Sequence, residues 1–200
     1  MTNVATRKIV LVAVLVLVGI YVNSGTQPVI NPQSLYLTTD TEFYKTLRVA
    51  LLSDFHVKNS PNAVADLAEL WSEVIEQTPD IILLGGDYIN DGASNQDIAS
   101  IGPAIANIFR ASDDIPVVAV LGNHDHWSGA DSWMEYLSEA GVTVLENETV
   151  VLDAVGTCIR GFGDAFTDHF EYVDFPGTCA DRLQITLTHD PAGAFNPKVG

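Results

Sequence analysis

Short apolar runs alternate with amphipathic stretches along this chain, and that alternation limits its fold more than any other feature. Residues 47–53 form a run rich in strand-forming side chains. Ser60 and Pro61 are typical of a helix start, and apolar residues then recur at helical spacing until Pro79 ends the helix. The pattern continues with strands predicted at 81–84, 117–121, 142–145, 150–152, 158–161 and 183–187, and helices at 98–109 and 133–140. This alternation predicts an α/β protein with helices packed against a sheet.

Polar side chains follow four of the predicted strands directly, at the point where each strand ends. They are Asp54 with His56, Asp87 after two glycines, Asn123 with His124 and Asp125, and His189. Any one of them alone is more often a turn residue, a helix cap or an ordinary surface histidine. Sites in open α/β sheets form beyond the carboxyl ends of strands, so we expect the whole set on one rim. Its carboxylate, imidazole and amide donors suit Mn, Fe or Zn better than an all-oxygen calcium site.

Asp87 is a candidate for a carboxylate shared by two ions. The glycines before it let the backbone turn tightly and approach a ligand closely. Two ions roughly 3.5–4 Å apart activate water and neutralise the charge of a phosphoryl transition state. A pair of ions held by such a carboxylate would suit the hydrolysis of a phosphoester.

The order of these groups resembles the signature of calcineurin-like metallophosphoesterases. The likeness runs from about residue 47 to residue 191, and the element Gly122-Asn123-His124-Asp125 is highly specific. It implies a β-sandwich flanked by helices in four αββα layers. It also implies metal-dependent hydrolysis of a phosphodiester, a phosphomonoester or a lipid-linked pyrophosphate.

The resemblance also implies a set of metal ligands. Asp54 and His56 would bind the first divalent ion, which would be Mn, Fe or Zn. Asp87 would bridge the two ions, and Asn123 and His189 would bind the second.

Two further residues have roles by the same resemblance. His124 would stabilise the transition state or protonate the leaving oxygen, and Asp125 would orient His124. Asn90 stands where many relatives carry another acid, which is a mild departure.

The larger departure is the final Gly-His-x-His of the family, which does not occur before Gly200. The remaining histidines, His126 and His169, lie in other contexts. We therefore expect a chain truncated within the phosphoesterase domain, which would occupy residues 46–200. The alternative is a membrane-tethered, non-catalytic domain with a partial metal site. A metal amidohydrolase is a third possibility, but the order of the motifs argues against it.

The N-terminus predicts export. Arg7 and Lys8 precede an apolar run at residues 9–22, which is shorter than the roughly 20 residues that a spanning helix needs. We expect a membrane anchor or signal segment at residues 1–24 and a linker at residues 25–45. The domain would then be membrane-anchored or secreted, on the extracytoplasmic side.

Charge and cysteine content narrow the possible partners. The net charge of -17 argues against non-specific binding to nucleic acid or to an anionic membrane surface. The partners expected are a phosphoester substrate and, through the N-terminal segment, a membrane. Cys158 and Cys179 would be two buried thiols or one disulfide, and export favours the disulfide.

Overall fold

A computed structural model of the chain describes residues 47–90, 92–110 and 115–194. The predicted anchor and linker lie outside these residues. The strands are β1 Val49–Leu52, β2 Ile81–Leu84, β3 Val117–Ala119, β4 Thr143–Val144, β5 Glu148–Leu152, β6 Thr157–Gly161 and β7 Leu183–Leu187. The helices are α1 Pro61–Glu76, α2 Asn95–Phe109, α3 Asn123–Glu139 and α4 Pro191–Ala194.

The first sheet is parallel and has the order β1-β2-β3-β4. Its strand β2 is buried on both faces, as its continuous apolar sequence requires. Ile82 and Leu84 face the core shared with helices α1 to α3. Ile81 and Leu83 face the opposite way, into a second core. Because the strands are parallel and follow one another in the sheet, their carboxyl ends meet at one edge.

The second sheet has the order β5-β6-β7, with β5 antiparallel to β6 and β6 parallel to β7. Ile159, Ile185 and Leu187 pack in the same core as the inward side chains of β2 and β3. The two sheets therefore form a sandwich, with helices on the outer face of the first. This confirms the predicted mixed α/β fold, and the described residues supply three of the four layers.

Helix α3 begins much earlier than the predicted residue 133, so that boundary was wrong. The motif that carries Asn123 forms the first turn itself, because Asp125 accepts a hydrogen bond from the Gly122 N–H at 2.9 Å. Such a bond satisfies a backbone donor that the helix start leaves free. The helix is interrupted at Gly129, where φ is 145°. This break and the polar first turn hide the helix from a search for apolar periodicity.

Cys158 and Cys179 form a disulfide, which confirms the expected pairing. The bond ties β6 to the short 3-10 turn Gly177–Cys179 that precedes β7. It closes the long loop that connects the two strands. Within the described residues, no helix has the length and apolar character that crossing a membrane would require.

Candidate metal centre

The strand ends bring the predicted ligands together around Asp87. Its Oδ2 lies 3.6 Å from His56 Nε2, 3.8 Å from His124 Nε2 and 3.4 Å from His189 Nε2. Asp54 joins the group, because its Oδ1 lies 3.8 Å from His56 Nε2. We call this set, together with Asn123, the Asp87 centre.

The backbone of the neighbouring loops fixes the side chain of Asp87. Its Oδ1 accepts a hydrogen bond from the backbone N–H of His124 at 3.0 Å, in the first turn of α3. Asp87 is 2% exposed, and burial raises the pKa of its carboxyl against the opposing effect of the nearby histidines. A Cβ on Gly122 would overlap this carboxylate, and one on Gly86 would overlap the backbone of Gly122. Only glycine therefore allows the β2 loop and the α3 start to approach this closely.

Asp54 and His56 are held by the loop that carries Asp87. Asp54 N donates to Gly86 O at 3.0 Å, and His56 N donates to Asp87 O at 2.9 Å. Three of the five ligand candidates have left-handed backbone conformations, with φ of 59° at Asp54, 45° at His56 and 59° at Asp87. Non-glycine residues rarely adopt such values, and they concentrate at functional sites.

His189 reaches the centre from the end of β7. Its Nδ1 lies 2.8 Å from Gly85 O and donates its proton there, which leaves Nε2 as the free lone pair. That Nε2 lies 3.1 Å from Asn123 Oδ1. Burial disfavours a charge on His189, but the Asp87 carboxylate and the Gly85 carbonyl outweigh it and raise its pKa. The acidic and carbonyl oxygens around His189 therefore favour a positive charge at this place, either a proton on the imidazole or a bound cation.

The donor set fits divalent metal ions. Ligand atoms of His56, Asp87 and His124 lie within 4.8 Å of one another, and so do those of Asp54, Asp87 and His189. The two groups share Asp87. Close packing of acceptor atoms is unfavourable unless a cation lies among them, because their lone pairs repel. Oxygen and imidazole donors together suit Mn, Fe or Zn.

Asp125 is buried next to the Asp87 centre, and its carboxylate accepts hydrogen bonds from the backbone of the loops that form this centre. Its Oδ2 accepts from Asp87 N at 2.7 Å and from Gly122 N at 2.9 Å, and its Oδ1 accepts from Tyr88 N at 2.9 Å. Burial raises the pKa of Asp125 to about 7, although these three hydrogen bonds favour the ionised form. The resemblance assigns Asp125 to the orientation of His124, and the structure adds a hold on the backbone of Asp87.

Aromatic side chains border the centre on the side of His124. The ring of Trp127 contacts the His124 ring with centroids 5.2 Å apart, and the Phe166 ring lies 5.8 Å beyond it. Trp127 is 61% exposed and Phe166 is 70% exposed. Trp133, in contrast, is buried in the core.

Sequence reasoning missed a second group of polar side chains beside the centre. Ligand atoms of His126, Glu146 and His169 lie within 4.8 Å of one another. We call this set the His126 cluster. Its members come from three separate stretches of the chain. Glu146 directly follows the strand predicted at residues 142–145, but His169 lies in the loop between β6 and β7 and follows no strand directly. Sequence spacing therefore gives no signal that brings the three together.

Comparisons with known proteins agree with the geometry. The family model of calcineurin-like phosphoesterases matches residues 47–196. An uncharacterized metallophosphoesterase of Aquifex aeolicus is 27% identical over 160 residues, which is 72% of this chain and 56% of that protein. Phosphodiesterase YaeI of Escherichia coli is 30% identical over 151 residues, which is 72% of this chain and 53% of that protein. The chain therefore spans about half the length of these relatives.

Proposed function

The chain belongs to the calcineurin-like phosphoesterase family, and from that premise we propose that it hydrolyses a phosphodiester with two divalent metal ions. The observation that carries the proposal is the place of the Asp87 carboxylate between two pairs of ligands: its Oδ2 lies 3.6 Å from His56 Nε2 and 3.4 Å from His189 Nε2. One named relative, YaeI, is a phosphodiesterase. That likeness favours a phosphodiester over a phosphomonoester or a lipid-linked pyrophosphate.

In this proposal, Asp54 and His56 would hold one ion, Asn123 and His189 would hold the other, and Asp87 would contact both. When bound, the ions supply an activated water and neutralise the charge that develops on the phosphoryl group. The protein fixes the donors in advance. His189 keeps Nε2 available because Nδ1 donates to Gly85 O, 2.8 Å away. Such prior fixing of ligands avoids reorganisation during the reaction.

His124 would act on the substrate rather than on the metal. Its backbone N–H holds Asp87, while its side chain is 15% exposed and its ring contacts the exposed ring of Trp127. An imidazole in that place is positioned to donate a proton to the leaving oxygen of the ester. The adjacent ring of Trp127 would form one wall of the substrate site.

Metal content and hydrolysis test this proposal. The natural protein at its full length should bind two Mn²⁺ ions by elemental analysis and hydrolyse bis(p-nitrophenyl) phosphate. EDTA should abolish the reaction, and added Mn²⁺ should restore it. A full-length protein that binds one ion and turns over no phosphoester would instead support the non-catalytic, tethered domain.

We also propose that the domain works outside the cytoplasm. The support is the pair Arg7 and Lys8 before an apolar run, together with the disulfide between Cys158 and Cys179. Disulfides persist in oxidising compartments. An alkaline phosphatase reporter fused after residue 45 should be active, because this enzyme needs oxidising conditions. If this fusion is inactive, and a reporter that works only in the cytoplasm is active when fused at the same position, export is refuted.

A further inference from the structure

The His126 cluster brings together three ligand-type side chains that the Asp87 centre does not use. His126 lies in the first turns of α3, Glu146 follows β4, and His169 lies in the loop between β6 and β7. His126 Nε2 is 3.7 Å from Glu146 Oε1. The rings of His126 and His169 stack with centroids 3.8 Å apart.

Several polar atoms of this region are buried without a partner. The side chain of His126 is 4% exposed, and its Nε2 makes no hydrogen bond to any described residue. Glu146 Oε1 and the nearby Asp164 Oδ1 are buried in the same way. A buried polar group without a partner is costly, because it loses its hydrogen bonds to water and gains none in the protein. Because these atoms lie close together, one cation could contact His126 and both carboxylates.

Protonation of His126 does not supply the hydrogen bonds that these buried atoms lack. Burial, together with the stacked His169, lowers the pKa of His126 to about 4 against the opposing effect of Asp164. The imidazole is therefore neutral near pH 7, which is the form that binds metal ions.

The surrounding backbone is built to hold the cluster. Asn147, the residue after Glu146, donates through Nδ2 to His169 O at 2.8 Å. Its Oδ1 accepts from Gly163 N at 3.0 Å and from Glu171 N at 2.9 Å. One side chain thus fastens the loop that carries His169 to the strand end that carries Glu146. The His169 side chain itself is exposed, so a rotation can turn its ring out of the stack and towards an ion between the three residues.

We propose that His126, Glu146 and His169 bind a divalent transition-metal ion, with Zn²⁺ as the best match, at a site separate from the Asp87 centre. Two imidazoles and one carboxylate are a zinc ligand set, and a fourth position would remain for water or for Asp164. Bound there, the ion fixes the loop that carries Phe166 against α3. This inference rests on the cluster alone and does not depend on phosphodiester hydrolysis.

The test separates the two sites by first weakening the Asp87 centre. The chain with Asp87→Asn is stripped with EDTA and titrated with Zn²⁺ alone, with bound metal measured by equilibrium dialysis and elemental analysis. We expect one tightly bound Zn²⁺ per chain. Adding His169→Ala or Glu146→Gln should weaken that binding at least about tenfold, because each removes one ligand.

Asp168→Asn provides the matched control. It removes a carboxylate beside His169, and its φ of 62° suits asparagine equally well. This variant should keep the Zn²⁺ affinity of its Asp87→Asn parent within about twofold. Far-UV circular dichroism should show that every variant is folded. The proposal is overturned if the Asp87→Asn chain binds no Zn²⁺, or if His169→Ala and Glu146→Gln bind it as tightly as Asp168→Asn does.

A second measurement uses the wild-type side chains at Asp87. Co²⁺ in place of Zn²⁺ gives visible absorption whose intensity rises when imidazole and carboxylate ligands form a tetrahedral site. We expect His169→Ala to remove one tetrahedral Co²⁺ band while bands from the Asp87 centre persist. Unchanged spectra would also contradict the proposal, whatever the outcome for phosphodiester hydrolysis.

Discussion

The Asp87 centre and the His126 cluster both contain histidine and carboxylate, yet they are held in different ways. In the Asp87 centre, the backbone of neighbouring strand ends holds the ligands: Asp54 N and His56 N bond to the loop of Asp87, and His189 bonds to Gly85 O. In the His126 cluster, the ligands come from a helix and two loops, and buried atoms lack partners. A site at strand ends inherits its geometry from the sheet, whereas a site between loops depends on a few side chains.

The largest expected effect is at the Asp87 centre. Asp87→Ala should lower hydrolysis by about 10³-fold or more, because it removes a charge-compensating group from the reacting site. Metal content should fall from two ions towards less than one, since two cations without a shared carboxylate repel each other. Elemental analysis and an aryl phosphodiester assay measure both.

Asp66→Asn, on the exposed side of α1, is the control for loss of an acid elsewhere. It should keep both metal content and turnover. Two ions and near-normal turnover in Asp87→Ala would show that the centre does not depend on this carboxylate.

The next effect separates ligation from proton donation within the Asp87 centre. His124→Ala should keep its metal content but turn over roughly 10²–10⁴-fold more slowly, the usual cost of losing a general acid. Asn123→Ala should instead lose mainly one ion. Loss of metal in His124→Ala would assign that imidazole to ligation, which the grouping of His124 with His56 and Asp87 also permits geometrically.

A smaller effect should appear where a side chain holds a site. Asn147→Gly keeps the left-handed backbone, whose φ is 58°, but removes three hydrogen bonds to the loop of His169. We expect the free energy of unfolding to fall by about 2–3 kcal/mol. Zn²⁺ binding at the His126 cluster should weaken more than Mn²⁺ binding at the Asp87 centre. Equal weakening of the two metals in dialysis would show that the two sites are not held separately.

The smallest effect is a dependence of stability on pH. Because the folded pKa of His126 is lowered to about 4, below its usual value of 6.5, the unfolded chain binds this proton more readily. Its contribution to stability is complete above about pH 6.5 and is lost as the pH falls towards 4. Metal-free wild type should therefore lose stability to urea faster than His126→Gln between pH 7 and 5. Parallel curves for the two would show that His126 titrates normally.

The Asp87 centre could be predicted because each of its residues directly follows a strand. Such a pattern is local, and the sheet then converts local position into spatial proximity. The His126 cluster could not be predicted, because His169 follows no strand directly and reaches His126 only when the loop between β6 and β7 is folded back. Glu146 does follow a strand, but a single acid in that place is more often a turn residue. The fold itself followed from apolar alternation, but the start of α3 did not, because its first turn consists of the polar motif.

Gly86 and Gly122 have a consequence for how this protein can evolve. The backbone of Gly122 lies where a Cβ on Gly86 would have to be, and the carboxylate and backbone nitrogen of Asp87 lie where a Cβ on Gly122 would have to be. Neither glycine can therefore be replaced during evolution, whichever substrate the protein acts on. A second substitution elsewhere changes a side chain, and it would not remove a clash with backbone atoms. A descendant that retained every ligand but replaced either glycine would carry a displaced Asp87. In a collection of genomes, these two glycines would mark decayed copies that the ligands alone would class as intact.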